Sequence, residues 1–329
     1  MEKYTPKLDV LTTQRAIRRL RHLFEEKLCD GLNLTRASAP LFVKKGSGLN
    51  DDLNGVERPV SFDILDSGDV VEVVHSLAKW KRMALKKYGF PMHTGLYTDM
   101  NAIRRDERCD SIHSLYVDQW DWEKVISAED RNIEYLKDTV RAIYKAVYDT
   151  TEVISKEYPC LDNYLPSEIA FITTLELEEK YPTLTAKERE NAIAKECGAV
   201  FLMQIGTRLK SGEKHDGRAP DYDDWSLNGD ILIYNRMTDA AFEISSMGIR
   251  VDKQSLLSQL EAENALDRLE LPFHKALVNG ELPLTIGGGI GQSRLCMLIL
   301  QKAHIGEVHA SVWPQREVDR CREMGIELL

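Results

Sequence analysis

Val117 to Glu123 (VDQWDWE) packs three acids and two tryptophans into a β-prone run. On a strand, Val117, Gln119 and Asp121 would share one face, with Asp118 and Trp120 on the other. Acids that dense mark a candidate site, because buried charge needs partners. Further on, Asp230 and Glu243 flank consecutive predicted strands. They offer hard oxygen ligands of the kind that hold magnesium together with phosphates. Glu243 sits in AAFEISSM among apolar neighbours, where an unpaired charge is costly. Asp221 and Asp224 read instead as exposed acidic turns.

Arg104, Arg105, Asp106 and Glu107 follow directly on a predicted strand. An arginine there can clamp a phosphate or carboxylate, although the four residues also fit a charged hairpin turn. In His75 to Arg82 (HSLAKWKR), a helix cannot turn Ser76, Lys79 and Lys81 the same way. At most one of the two lysines is therefore expected to point inward. Near the C-terminus, Thr285 to Leu295 reads TIGGGIGQSRL. Its glycines 287, 288, 289 and 291 let backbone approach a flat or charged ligand and make unusual φ values cheap. Arg294 then opens an apolar helix over 293–301, where its guanidinium can reach a phosphate or stack on a base.

Other glycine-rich readings fail on spacing. The dinucleotide fingerprint lacks its third glycine, since Gln292 or Arg294 stands there. Gly212 to Ala219 nearly spells a P-loop, but Arg218 replaces the lysine, Ala219 the hydroxyl residue, and Pro220 follows. The eight histidines are dispersed and no HExxH is present.

The elements that must position these residues alternate irregularly. Helices are predicted over 11–28, 76–87, 129–158, 174–181, 186–197, 253–260 and 265–278. Strands are predicted over 32–39, 60–64, 70–74, 96–103, 115–120, 199–206, 231–234 and 240–244. A polar loop spans 46–55 and another 210–225. Arg15, Arg18, Arg19 and Arg21 form a small basic patch on the first helix, read as a solvated face or dimer contact. Mixed strands and helices without a regular βα repeat argue α+β in one domain over 1–329.

Composition bounds the function. With 329 residues, 43% hydrophobic and 29% charged, the chain can bury a large core. A net charge of −10 repels nucleic-acid phosphates. No apolar run reaches membrane-spanning length and the N-terminus has no signal-peptide core. Six scattered cysteines without a CxxC pair read as reduced thiols of a cytoplasmic protein.

The glycine-rich strand followed by Arg294 resembles motif 3 of class II aminoacyl-tRNA synthetases. With VVHSLAKWKR, GLYTDMNAIRRDE, HSLYVDQWDWE, AIAKECGAVFL, RAPDYDDW and FEISSMGIRV, the chain is similar to the ammonia-dependent, AMP-forming asparagine synthetases from about Gly46 to Pro314. That resemblance implies an antiparallel sheet flanked by helices, a class II synthetase-like catalytic domain and a homodimer. It also implies activation of aspartate by ATP to β-aspartyl-AMP, which ammonia converts to asparagine. Ser76, Lys81, Asp121, Ser246 and Arg250 would bind aspartate. Asp51, Arg104, Gln119 and Arg294 would be catalytic. Arg104, Leu115, Val117, Gly291 and Arg294 would meet ATP, and Asp230 and Glu243 would hold magnesium.

The resemblance leaves Arg104 or Arg105 as the phosphate clamp, and Asp51 or Asp52 as the residue facing the amide. The segment from Trp225 to Leu227 is shorter than the corresponding family loop. An aspartyl-tRNA synthetase paralogue would call for an anticodon domain. A non-catalytic regulatory subunit would have lost charged site residues that are all present here.

Overall fold

The computed structural model describes residues 4–51 and 57–329. Helix α1 (Val10–Leu32) leads into β1 (Leu34–Arg36), β2 (Phe42–Lys44), β3 (Ser61–Asp63) and β4 (Val70–Val73). Helix α2 (Ala78–Tyr88), the long strands β5 (Gly95–Ile103) and β6 (Tyr116–Val125), and α3 (Ile133–Glu157) follow. Then come β7 (Ala170–Thr173), α4 (Thr174–Lys180), α5 (Ala186–Cys197), β8 (Ala199–Met203), β9 (Asp223–Asn235) and β10 (Ala240–Arg250). The chain closes with α6 (Lys253–Ala262), α7 (Pro272–Val278), β11 (Thr285–Gly291), α8 (Gln292–Ile299) and α9 (Gln315–Met324).

Eight strands form one sheet in the order β1-β5-β6-β11-β10-β9-β8-β7, and β2-β4-β3 form a small second sheet. The large sheet is antiparallel through its middle, with one parallel pair at each edge, β1 on β5 and β7 on β8. This is the expected α+β class, an antiparallel sheet with flanking helices.

The core lies between one sheet face and helices α1, α3 and α8. Leu20, Phe24 and Leu28 of α1 and Val140, Ile143 and Val147 of α3 are fully buried there. They meet Trp120 and Trp122 of β6 and Ile231, Ile244 and Ile286 from neighbouring strands. Strand alternation sends the two tryptophans into this core, and Gln119, Asp121 and Glu123 to the opposite face. Trp120 still donates its indole N–H to Glu25 of α1 at 2.8 Å, so its polar edge is satisfied.

Several expectations are corrected. The helix expected over 265–278 is a 3-10 turn (Leu266–Glu270) followed by α7, broken where Pro272 opens the second piece. Strand β9 begins at Asp223, within the expected loop, and β10 runs on to Arg250. Register shifts at Glu243/Ser245 and Gly248/Arg250 interrupt the alternation of β10 and so weaken the period-2 signal. Strands β2 and β7 and helix α9 had no expected counterpart. The glycine run is extended strand, and none of its four glycines has a positive φ.

A candidate adenylate-forming site

The sheet face opposite the core carries a cleft of about 460 Å³. Its floor is β11, with β6 on one side and β10 on the other. The glycines serve this arrangement. A Cβ at Gly287 would strike the Glu123 carboxylate and lie 2.7 Å from Arg250 Nη2. One at Gly289 would strike Gln119 and lie 2.8 Å from Asp121 Oδ1. Side chains of the two flanking strands meet across β11 in the space its residues leave free.

At one end of the cleft the charges are buried and paired. Arg250 donates to both Glu123 oxygens, at 3.1 and 3.0 Å from Nε and 2.7 Å from Nη2, and Nη1 donates to Asp223. Lys81 donates to the Gly288 carbonyl at 2.8 Å and lies 3.2 Å from Asp121. Burial pulls the Lys81 ammonium below the ordinary lysine range and Arg250 adds to the fall, with Asp121 opposing it. The Arg250 guanidinium, together with Lys81, outweighs burial and keeps the Glu123 carboxyl low. Asp223 is raised, chiefly by burial. Asp51 is buried at the rim, where its carboxylate accepts from Ser76 at 3.1 Å and its carbonyl lies 3.0 Å from His75 Nδ1. Asp52 lies outside the described residues.

The other end is less committed. Arg104 faces the cleft, and its buried Nε has no hydrogen-bond partner among the described residues. Arg105 is exposed and outside the lining, so position separates the two. Arg294 donates to the Glu243 carbonyl at 3.0 Å, with the Glu243 carboxylate 3.7 Å away. The Glu243 side chain is 42% exposed, because alternation turns it out of the apolar run and into the cleft.

Of the candidate residues, Asp51, Ser76, Lys81, Arg104, Val117, Gln119, Asp121, Glu243, Ser246, Arg250, Gly291 and Arg294 line this one cleft. Leu115 does not; its carbonyl accepts from the Arg104 amide at 2.8 Å. Asp230 lies just behind the lining, opposite Ser246 and engaged by Arg218. Burial raises its carboxyl above the ordinary range, with Glu243 adding to the rise and Arg218 opposing it.

Lys79 and Lys81 of α2 are both buried, against the expectation of one at most. Lys81 points at the floor, while Lys79 pairs with Asp221 at 3.0 Å on another side of the helix. Asp221 and Asp224 are likewise buried rather than exposed turns. Asp221 also accepts from Arg268 and His274, and Asp224 from Arg131. Charge partners distant in sequence make this burial possible. Arg21 of the α1 basic patch is not simply solvated either, since it reaches Asp118 at 2.7 Å.

Arg218, Tyr222, Asp223 and His309 also line the cleft. The first three belong to RAPDYDDW, which could have flagged them. A lone histidine such as His309 carries no sequence signal.

The sheet and its flanking helices share the fold of solved class II aminoacyl-tRNA synthetase catalytic domains. The solved asparaginyl-tRNA synthetase from Pyrococcus horikoshii complexed with asparaginyl-adenylate superposes with a TM-score of 0.67 at 14% identity. The match covers 93% of this chain and 70% of that one. Aspartyl-tRNA synthetase from Entamoeba histolytica gives 0.61 at 16%, covering 90% of this chain and 57% of that one. Sequence narrows the class. The aspartate-ammonia ligase family model matches residues 11–325. The aspartate–ammonia ligase of Clostridium tetani is 61% identical over 329 residues, covering 100% of this chain and 96% of that one. That of Fusobacterium nucleatum is 61% identical over 326 residues, covering 99% of each. The chain belongs to the aspartate–ammonia ligase family.

Proposed function

We propose that this protein makes L-asparagine from L-aspartate and ammonia, converting ATP to AMP and pyrophosphate through β-aspartyl-AMP. The observation that carries the reading is the single cleft, in which a paired ionic nest adjoins arginines with free donor capacity. Aspartate is a zwitterion with a second carboxylate, and a nest holding both cations and anions suits it. Lys81 and Arg250 take its α-carboxylate, with Ser76, Asp121 and Ser246 around the rest of the molecule. The β-carboxylate then faces the α-phosphorus of ATP. Its oxygen forms the new P–O bond as the bond to pyrophosphate breaks, and Arg104 and Arg294 offset the developing charge. Val117 and Gly291 line the nucleotide end.

Asp51 and Gln119 serve the second half-reaction. Ammonium is held by the Asp51 carboxylate and gives it a proton. The freed nitrogen lone pair attacks the acyl carbon, the C–O bond to AMP breaks, and the nitrogen loses a second proton to water to give the neutral amide.

Magnesium fits this reading with few protein ligands. Among the described residues no group of three or more His, Cys, Asp or Glu forms a metal cage. Glu243 and Asp230 offer two carboxylates, Glu243 facing the cleft and Asp230 behind it, where Arg218 engages it. Phosphates and water would complete the shell, and the bound ion would supply neutralisation of the phosphate charge. Among the described residues no helix is long and apolar enough to cross a membrane. The net charge of −10 supports small-molecule substrates over nucleic acid. We take the enzyme to be a cytoplasmic homodimer with one catalytic domain per chain.

The test separates the two half-reactions. Aspartate-dependent ATP–pyrophosphate exchange is expected without ammonia or tRNA, and asparagine formation with ammonia but not glutamine. In Asp51→Asn, exchange survives while asparagine formation falls steeply. Equal loss of both would move Asp51 to substrate binding, and exchange that requires tRNA would favour the synthetase paralogue.

A further inference from the structure

Asp51 is held by its main chain as well as by its carboxylate. Its N–H donates to the Asn50 side-chain oxygen at 3.0 Å, and the same Oδ1 accepts from the His75 N–H at 2.9 Å. A carbonyl only accepts, so the His75 ring donates from Nδ1 to the Asp51 carbonyl, at 3.0 Å. The neighbouring Ser76 hydroxyl donates to the Asp51 carboxylate at 3.1 Å. At the other end of the Asn50 amide, Nδ2 donates to Glu72 at 3.3 Å and to the Val73 carbonyl at 3.4 Å, the last residues of β4. Asp51 and His75 are buried, at 2% and 1% exposure.

This amide can face only one way. Oδ1 meets two N–H donors while Nδ2 meets a carbonyl and a carboxylate, so turning it over would set like against like at every contact. Few side chains could replace it. Aspartate would present an oxygen to the Val73 carbonyl and a second charge to Glu72. Leucine would fill the space but leave the Asp51 and His75 amides without this acceptor.

We propose that Asn50 is a positioning residue for the ammonia half-reaction, acting through Asp51. The inference rests on the proposed role of Asp51 as holder and proton acceptor of ammonium. A proton acceptor must stand within hydrogen-bond reach of the group it serves, so its carboxylate has to be fixed relative to the acyl carbon. Ser76 holds one oxygen, but Ser76 and Asp51 belong to segments 25 positions apart. The Asn50 oxygen, shared between the amides of Asp51 and His75, keeps those two segments in register. Lys81, Arg250 and Arg294, which meet aspartate and ATP, bond instead to β6, β9, β10 and β11. Adenylate formation therefore does not depend on Asn50.

A staple that only kept this loop folded would lower every step together. Hydroxylamine separates the two cases. It is uncharged at neutral pH, so it needs neither an anion to hold it nor a base to free its lone pair. Its nitrogen attacks the same acyl carbon, the C–O bond to AMP breaks, and a proton leaves to water to give β-aspartyl hydroxamate. Misplacing Asp51 should therefore penalise ammonia and spare hydroxylamine.

The test compares the full chain with Asn50→Ala. Pyrophosphate exchange and hydroxamate formation are expected within about threefold of wild type, while kcat/KM for ammonia falls roughly 10- to 100-fold. Equal loss with both nucleophiles, or no loss with ammonia, overturns the inference. Combining Asn50→Ala with Asp51→Asn should make ammonia use no worse than Asp51→Asn alone, since Asn50 acts only through Asp51. Additive losses are equally fatal. Should Asn50→Ala not fold, amide hydrogen exchange of the wild type decides the matter. The Asp51 and His75 amides are expected to be protected, and fast exchange at either rejects the shared acceptor. Failure of the underlying reading looks different: Asp51→Asn would then lose exchange and asparagine formation together, whatever Asn50→Ala does.

Discussion

The two ends of the cleft are prepared for substrate in opposite ways. At the aspartate end, Arg250 and Lys81 are buried and already bound to Glu123, Asp223, Asp121 and a backbone carbonyl. At the phosphate end, Arg104 has a nitrogen without a partner among the described residues, and Arg294 rests on one carbonyl and a distant carboxylate. A buried cation without partners is too costly to keep, so a small zwitterion must be met by a nest that is neutralised beforehand. A highly charged, partly solvated nucleotide can instead be met by arginines held in reserve. The same residue type thus carries fold stability at one end and rate at the other.

Substitutions can break this contrast. The largest expected effect is on Arg250→Ala, which strands Glu123 and Asp223 in the interior. Removing one partner of a buried pair costs about 3–5 kcal/mol, read as a shift in the denaturant midpoint. Next, Arg104→Ala and Arg294→Ala should leave stability nearly unchanged but lower pyrophosphate exchange by about 10²–10³, or roughly 2.7–4 kcal/mol of barrier. An Arg294 variant that unfolds as readily as Arg250→Ala would erase the distinction.

Acid titration probes the boundary between the two ends. The Asp118 carboxyl is depressed to about 2 in the fold. Its stabilisation is therefore full above the unfolded value of about 3.9 and lost as pH falls through about 2, a difference of about 2.6 kcal/mol. Asp118→Asn should remove that part of the acid limb. Smallest of all, Arg105→Ala should stay within about 0.5 kcal/mol in stability and close to wild type in exchange. A loss matching that of Arg104→Ala would return the phosphate clamp to Arg105.

Much of this contrast was legible in the sequence, and the gaps have physical reasons. Arg104, Arg294, Gln119 and Asp121 could be picked out because they stand beside strand or glycine signals. The burial of Lys79 and Asp221 could not, because the two partners lie 142 positions apart and each alone reads as a surface charge. Strands β9 and β10 extend beyond the sequence reading because register shifts at Glu243/Ser245 and Gly248/Arg250 break the regular alternation. Leu115 enters on resemblance alone, and it stands outside the cleft lining with its carbonyl accepting from the Arg104 amide. His309 was invisible for another reason: its place in the cleft comes from two hydrogen-bond partners, Ser293 and Tyr116, on separate elements.

The glycine floor has a consequence for variation at these positions. Along most strands, tolerance declines gradually as the substituted side chain grows. At Gly287 and Gly288, the first carbon atom already collides with the Arg250-held Glu123 carboxylate, or with Met247 Cβ 2.6 Å away and the Ser246 carbonyl. Sensitivity there is a step at one methyl group, so alanine is nearly as disruptive as leucine. A designer seeking room for a larger amino acid should leave this strand untouched and work from the walls.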